Sequence, residues 1–293
     1  MVLPDDLKIP SERASELRDL LLQRPDETLF HLSVLEERGT ASRPGEGAFA
    51  FVGWPKEGPL RAAAFVAGSW FVSPFAIDPQ DAAGMGRALA GRLVVRRAIG
   101  ERAATDALWG ELAPGRLSTA LRHDQSLMLL RAPEAANLTL PGLRPADAHE
   151  EDLVLEAAAR MQTEELGVDP RNEDPVVFRT QVQDRARAGR TFVLVLGGEI
   201  RFKADVALRC KRGAQIGGVW VPPEHRGMGL ASRGTCELAR RLFSTGPLVS
   251  LHVNEKNLPA VGADKRAGFH HALPFRLLRG EPVAAAASAA RAG

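Results

Sequence analysis

The run from Gln215 to Ala231, QIGGVWVPPEHRGMGLA, is the part of the chain best equipped to hold a charged ligand. An apolar stretch ends at Val221, Pro222 and Pro223 bar further ladder pairing, and glycines follow at 227 and 229. Ala231, Thr235, Leu238 and Leu242 then recur at helical spacing, and the pattern stops before Gly246-Pro247. A strand, a glycine loop and a helix start place unpaired backbone N–H groups and the positive end of a helix dipole in one concavity, which suits a phosphate. Arg226, Gly227, Met228, Gly229, Leu230 and Ala231 are therefore candidate binding residues. Two glycines ahead of a helix also make a plain turn, so the flanking segments decide between the two.

Those segments favour a ligand. A strand over 248–253 leads to Asn254 and Asn257; Asn257 suits an N-cap, Pro259 the first helical turn and Gly268 the residue after a helix. The order β–loop–α–β–α–β puts a ligand at the carboxyl ends of the strands. His252, in mid-strand, titrates near neutral pH, and a histidine there also serves as a packed core residue. Glu164 and Glu165, at the end of a helix over 150–165, could draw in a cationic amine or form a solvated helix end. Glu224 and His225 read as local packing or capping groups.

These elements occupy the second half of a 293-residue chain, a length that favours about two domains. The first half reads as mixed α and β: helices through Leu17–Leu21 and through Leu29, Leu32 and Leu35, strands over 48–52, 62–67 and 70–72, a helix opened by Asp78-Pro79, a strand over 93–99, a helix over 103–112 and a strand over 126–130. The proline-bearing stretch 131–141 is the expected boundary. It separates a mixed α/β domain over 1–135 from a second over 139–280, with an alanine-rich, disordered tail over 281–293. In the second half, helices over 150–165 and 176–188 precede strands over 191–196, 200–209 and 214–221, and a last strand lies near 275–278. Gly84-Met85-Gly86 has no strand leading into it and reads as a turn or helix start rather than a second phosphate loop. No internal repeat is visible.

The composition excludes several classes. A net charge of +2 with no block of like charge makes nucleic acid and membrane unexpected partners. No apolar run approaches the roughly 18 residues of a membrane span. The start lacks the order of a signal peptide, so the cytoplasm is the default compartment. Cys210 and Cys236 form no CxxC or Cys/His cluster and read as two buried, reduced thiols; no metal is expected. The chain contains no tyrosine.

Three segments together resemble the GNAT superfamily of acetyltransferases: Val219 to Ala231, Leu251-His-Val-Asn254 with Asn257, and Lys265-Arg-Ala-Gly-Phe269. More narrowly the chain looks like bacterial two-domain members with an extra N-terminal domain, which carry a Phe-Lys-Ala strand such as Phe202-Lys203-Ala204 before the Gly-Val-Trp-Val strand. The resemblance implies an α/β fold with a mixed sheet that binds acetyl-CoA as co-substrate, preceded by a smaller mixed domain compatible with a degenerate copy of the same fold. It implies that Val219, Trp220 and Val221 pair with the pantetheine arm as an added strand. By the same token the N–H groups of Gly227 to Ala231 hold the pyrophosphate, and Asn254 and Asn257 line the CoA side of the gap.

The family commonly uses a tyrosine to protonate the departing thiolate, and alignment on Asn257 and Gly268-Phe269 puts Asp264 at that position. Asp264 would act as an acid only if burial raised its pKa; otherwise it is solvated or pairs with Lys265 or Arg266. A thiol of pKa roughly 8.5 is a tolerable leaving group even unaided. The leading expectation is an N-acetyltransferase moving an acetyl group to an unidentified small-molecule or protein amine by direct attack. His252, Asp264 and Glu165 are its candidate catalytic residues, and a homodimer is compatible. The alternative is a CoA-binding module without turnover, serving as a sensor or scaffold.

Overall fold

The computed structural model describes residues 5–43, 47–68, 71–93, 95–114 and 117–282. The chain divides into two compact units: Met1–Gln125 with Leu273–Gly293, and Ser126–Ala272. The division falls before the expected boundary because Met128 and Leu130 join the apolar core of the second unit, whereas Leu278 joins that of the first. Of the expected tail, Glu281 and Pro282 complete the last strand, and residues 283–293 lie outside the described residues.

The first unit runs α1 (Ala14–Leu21), α2 (Leu29–Arg38), β1 (Phe49–Trp54), β2 (Ala62–Ala67), β3 (Phe71–Ala76), α3 (Pro79–Leu89), β4 (Arg97–Glu101), α4 (Arg102–Leu112) and the first part of β5 (Leu117–Arg131). Alternation along β1 sends Ala50 and Val52 to one face and Phe49 and Phe51 to the other. The first face packs on Met85 of α3 and Leu108 of α4, the second on Leu17 of α1 and Leu32 of α2. A sheet covered on both faces explains why its strands read as nearly continuous apolar runs. Strands β1, β2 and β3 are antiparallel neighbours, and β4 lies parallel to β3.

The second unit runs β6 (Arg144–Pro145), α5 (Glu151–Leu166), α6 (Pro170–Glu173), α7 (Pro175–Arg187), β7 (Thr191–Leu196), β8 (Glu199–Cys210), β9 (Gly213–Trp220), α8 (Leu230–Leu242), β10 (Leu248–Asn254), α9 (Leu258–Ala267) and the start of β11 (His270–Pro282). Strands β6 to β9 are antiparallel, and β10 lies parallel to β9. Phe202, Ile216, Val249 and Leu251 pack with Leu238 and Leu242 of α8 on one face. Val193, Ile200 and Trp220 pack with Val154 and Ala158 of α5 and Phe178 of α7 on the other. The remainder of β11 returns to the first unit, where Phe275–Arg279 pairs antiparallel with β4.

The two units repeat one order: two helices, three antiparallel strands, a helix, a strand parallel to the third, a helix and a closing strand. The second unit adds the short strand β6 ahead of its helices and the small helix α6 between α5 and α7. The repeat escapes the sequence because it is one of element order and pairing sense rather than of residue identity. No helix among the described residues is long and apolar enough to cross a membrane.

Candidate functional site

Strands β9 and β10 pair in register from Leu248↔Gly213 to Leu251↔Ile216. Past that point no register joins them among the described residues, although β9 continues to Trp220 and β10 to Asn254. On its other edge β9 bulges. Asp205 pairs with Gly217 and Lys203 with Trp220, so Gly218 and Val219 have no register partner on β8. Gly218 takes φ +57°, a conformation that costs glycine little and other residues more. The backbone at Gly218 and Val219 therefore offers hydrogen-bonding groups to an extended ligand lying in the split.

The loop between β9 and α8 is exposed from Pro223 to Gly229 except for half-buried His225. Gly229, at φ +75°, is the residue from which α8 starts, and no side chain caps that helix. The first N–H groups of an α-helix have no acceptor within it, so those of Leu230, Ala231 and Ser232 face outward with the positive end of the dipole. Arg226 serves the fold, since its Nε donates to the Val221 carbonyl at 3.0 Å and its Nη2 pairs with Glu164 Oε2. That clamp fastens the loop base to the end of α5, leaving the backbone beyond it for a ligand. Met228 is 65% exposed and has no packing role to compete with contact to a ligand.

The asparagines act locally. Asn254 Oδ1 accepts the Lys256 N–H at 3.0 Å, and Asn257 Oδ1 accepts the Ala260 N–H at 3.2 Å as the cap of α9. They shape the turn at the mouth of the split.

The three candidate catalytic residues fare differently. Asp264 is 6% exposed on α9 and forms no ion pair with Lys265 or Arg266, which point to solvent. Burial pushes its carboxyl up to about 7, so near neutral pH it carries a proton for much of the time. His252 lies on the opposite strand face from the Val249–Leu251–Val253 core, with Nδ1 3.4 Å from Gln215 Nε2. Burial brings its pKa down to about 4, so the ring is neutral at pH 7 and a weak base toward an ammonium. Glu165 is exposed at the end of α5, whereas its neighbour Glu164 is the one that reaches the site, meeting both Arg226 and Trp220 Nε1 (3.5 Å). Sequence reasoning chose Glu165, but one residue along a helix turns a side chain by about 100°, and Glu164 is the one turned to the loop.

Sequence reasoning also missed a buried ionic group under the bulge. Lys203, 1% exposed, donates to Asp205 Oδ2 at 2.6 Å and approaches the Gly218 carbonyl at 3.4 Å. Asp205 further accepts from Thr191 Oγ1 at 2.9 Å and from Arg185 Nη1 at 3.1 Å. Lys and Asp two apart within an apolar strand share a face, and that spacing was the available signal.

Gly84 and Gly86 are buried within α3, not in a loop. A Cβ on Gly84 would meet the Trp54 ring at 2.6 Å, and one on Gly86 the Leu108 carbonyl at 2.7 Å. Of the cysteines, Cys236 is buried as expected and Cys210 only half-buried; both are free. The one close group of metal-ligand types among the described residues is Asp147, His149 and Glu150. There Arg144 holds the Glu150 carboxylate through two hydrogen bonds, of 2.7 and 2.8 Å.

Comparison with solved structures places this architecture. The chain is similar to an acetyltransferase of the GNAT family from Colwellia psychrerythraea, with a TM-score of 0.55 and 16% identity over 94% of this chain and 98% of that one. It is similar also to a GCN5-related N-acetyltransferase from Sphaerobacter thermophilus, at TM-score 0.58 and 17% identity over 96% and 97% of the two chains. The fold is the GNAT fold. The chain is similar too to a tandem GNAT protein from the clavulanic acid biosynthesis pathway, at TM-score 0.56 and 14% identity over 95% and 98% of the two chains. The family model for FR47-like proteins matches residues 203–276, which run from within β8 into β11. Among curated proteins none matches at a significant level.

Within the GNAT fold only the second unit keeps the loop. In the first unit Ile77 and Asp78 alone separate β3 from α3, and the Asp78 carboxylate accepts the Gln80 N–H at 2.9 Å. A fixed negative charge at that helix start repels an anionic ligand.

Proposed function

We propose that this chain is an N-acyltransferase that uses acetyl-CoA at the split between β9 and β10 and passes the acetyl group to an amine. The observation that carries the reading is the pairing, in one unit, of an unpartnered bulge at Gly218–Val219 with an uncapped helix start at Leu230. The first suits an amide-bearing arm and the second a pyrophosphate. Acetyl-CoA combines both with a thioester, and the thioester supplies the activated acyl carbon.

In this reading Val219 and Val221 hold the arm through backbone groups, and the N–H groups from Gly227 to Ala231 hold the pyrophosphate. The amine bonds to the acyl carbon as the carbon–sulfur bond breaks, and the amine's proton leaves to solvent. Asp264 stands where the resemblance puts the family's tyrosine, and its pKa of about 7 supports the role of proton donor to the sulfur. Transfer from a group of pKa about 7 to a thiolate of pKa roughly 8.5 is downhill. Neutral His252 is better suited to align a water or the amine than to take up its proton.

The test is release of free CoA thiol from acetyl-CoA when the full chain is offered a panel of amines. Thiol release that depends on the amine supports the reading. Tight CoA binding with silence across the panel would replace it with a CoA sensor, and stabilisation by ATP or NAD but not by CoA would replace both.

A further inference from the structure

We infer that Lys203, held by Asp205, is a positioning residue that aims the Val219 N–H at the acyl carbonyl of the bound thioester; this rests on the acyl-transfer reading above. Lys203 projects from β8 directly beneath the bulge of β9. Its ammonium lies 2.6 Å from Asp205 Oδ2 and 3.4 Å from the Gly218 carbonyl. A Cβ on Gly218 would stand 2.5 Å from Asp205 Oδ2 and 3.2 Å from Lys203 Nζ, so the pair and the bulged peptide are in direct contact.

The consequence follows from peptide geometry. A peptide unit is planar and trans, so its C=O and the next N–H point in opposite directions. Drawing the Gly218 carbonyl toward Lys203 turns the Val219 N–H away from the ion pair. Val219 has no register partner on β8 or β10 among the described residues, so its N–H is placed to meet a ligand in the split. A backbone donor fixed in this way strengthens its hold as negative charge grows on a carbonyl oxygen during attack.

A buried ion pair is by itself weak evidence of a stabilising role. Taking two charges out of water offsets most of their attraction, and apolar replacements of a buried pair are often neutral or better. Thr191 and Arg185 complete the shell of Asp205 and hold its carboxylate turned toward Lys203. Arg185 alone among these reaches solvent, with its side chain 37% exposed.

The test compares the full-length wild-type chain with Lys203→Met/Asp205→Leu, which removes the pair without stranding a charge, and with Lys203→Arg. Infrared difference spectra of carbonyl-13C acetyl-CoA report the hydrogen bond on the bound thioester. In the wild type the carbonyl band is expected below its position in free acetyl-CoA. In the double variant it returns to the free position, while CoA without the acetyl group binds within about twofold of wild type; Lys203→Arg restores part of the shift. A band that stays shifted in the double variant overturns the inference and leaves acyl transfer standing. A parallel loss of CoA binding in a folded double variant also overturns it, because the pair would then shape the whole split. Wild-type protein that binds no acetyl-CoA defeats both readings.

Discussion

Asp78 accepts the backbone N–H of Gln80 at 2.9 Å, so the first-unit helix that corresponds to α8 starts with a carboxylate on it. Gly229, the corresponding residue of the second unit, has no side chain and leaves its helix start open. One fold thus occurs twice with opposite electrostatics at the same helix end. Isothermal titration with CoA should give one site per chain, and a second site of similar affinity would show that Asp78 does not exclude the anion.

Gly229→Val should lower CoA affinity by more than tenfold. Space is not the obstacle, since a Cβ there would meet only Arg233 Cδ at 4.0 Å. The backbone is: φ +75° costs a non-glycine residue about 1–2 kcal/mol, more for a β-branched one, so the loop relaxes and its N–H groups diverge. Unchanged affinity by titration, with native circular dichroism, would mean that the loop is only a turn.

Gly84→Val is the converse. Its side chain would enter the Trp54 ring, and overpacking of this kind costs about 1–3 kcal/mol. Urea midpoints should fall while CoA affinity holds, because the glycines of α3 serve helix packing in a unit without a phosphate loop. A selective loss of CoA affinity would contradict this.

Asp264 ties stability to pH. Its folded pKa of about 7 exceeds the ordinary 3.8, so between these values the folded chain keeps a proton that the unfolded chain has released. Its contribution to stability is therefore greatest below about pH 4, falls as pH rises to about 7, and is constant above. Asp264→Asn should remove this dependence, so its gain over wild type should be larger at pH 8 than at pH 5 by roughly 2–3 kcal/mol. Denaturant titrations at the two pH values check it, and equal gains would mean that the carboxyl is not protonated in the fold.

The same variant should slow acyl transfer by about 100-fold, the usual scale for losing a general acid. Wild-type turnover should decline above pH 7 as Asp264 ionises, and Asp264→Asn should lack that decline. A variant with full kcat would move the proton donor elsewhere, water included.

Much of this could be read from the chain. Strands β2 and β7 fall on the expected residues because the apolar runs there stop at glycine, Gly68 after β2 and Gly197-Gly198 after β7. The loop from Arg226 to Ala231 declares itself through Pro222-Pro223, two glycines and an amphipathic helix in succession. Other features needed the third dimension. The polar half of β5, from Leu117 to His123, reads as loop because it is largely exposed. Helix α2 begins at Leu29, just after Thr28, whose Oγ1 donates to the carbonyls of Leu21 and Arg24, a closure that the periodicity does not show. Lys265 and Arg266 look like partners for Asp264 in sequence, yet at helical spacing Asp264 shares the face of Ala267 and turns inward while they turn out. The bulge at Gly218 is a matter of register between strands, which no single segment encodes.

The return of β11 to the first unit sets an order on synthesis. Arg97–Glu101 of β4 finds its antiparallel partner in Phe275–Arg279, which leaves the ribosome only after the whole of the second unit. At about 5–20 residues per second, roughly ten to thirty seconds pass between the two strands. Through that interval the first unit waits with an open strand edge, the kind of surface on which nascent chains adhere to one another. A chain released after the second unit and before Phe275 would keep the split between β9 and β10 and leave β4 without that partner.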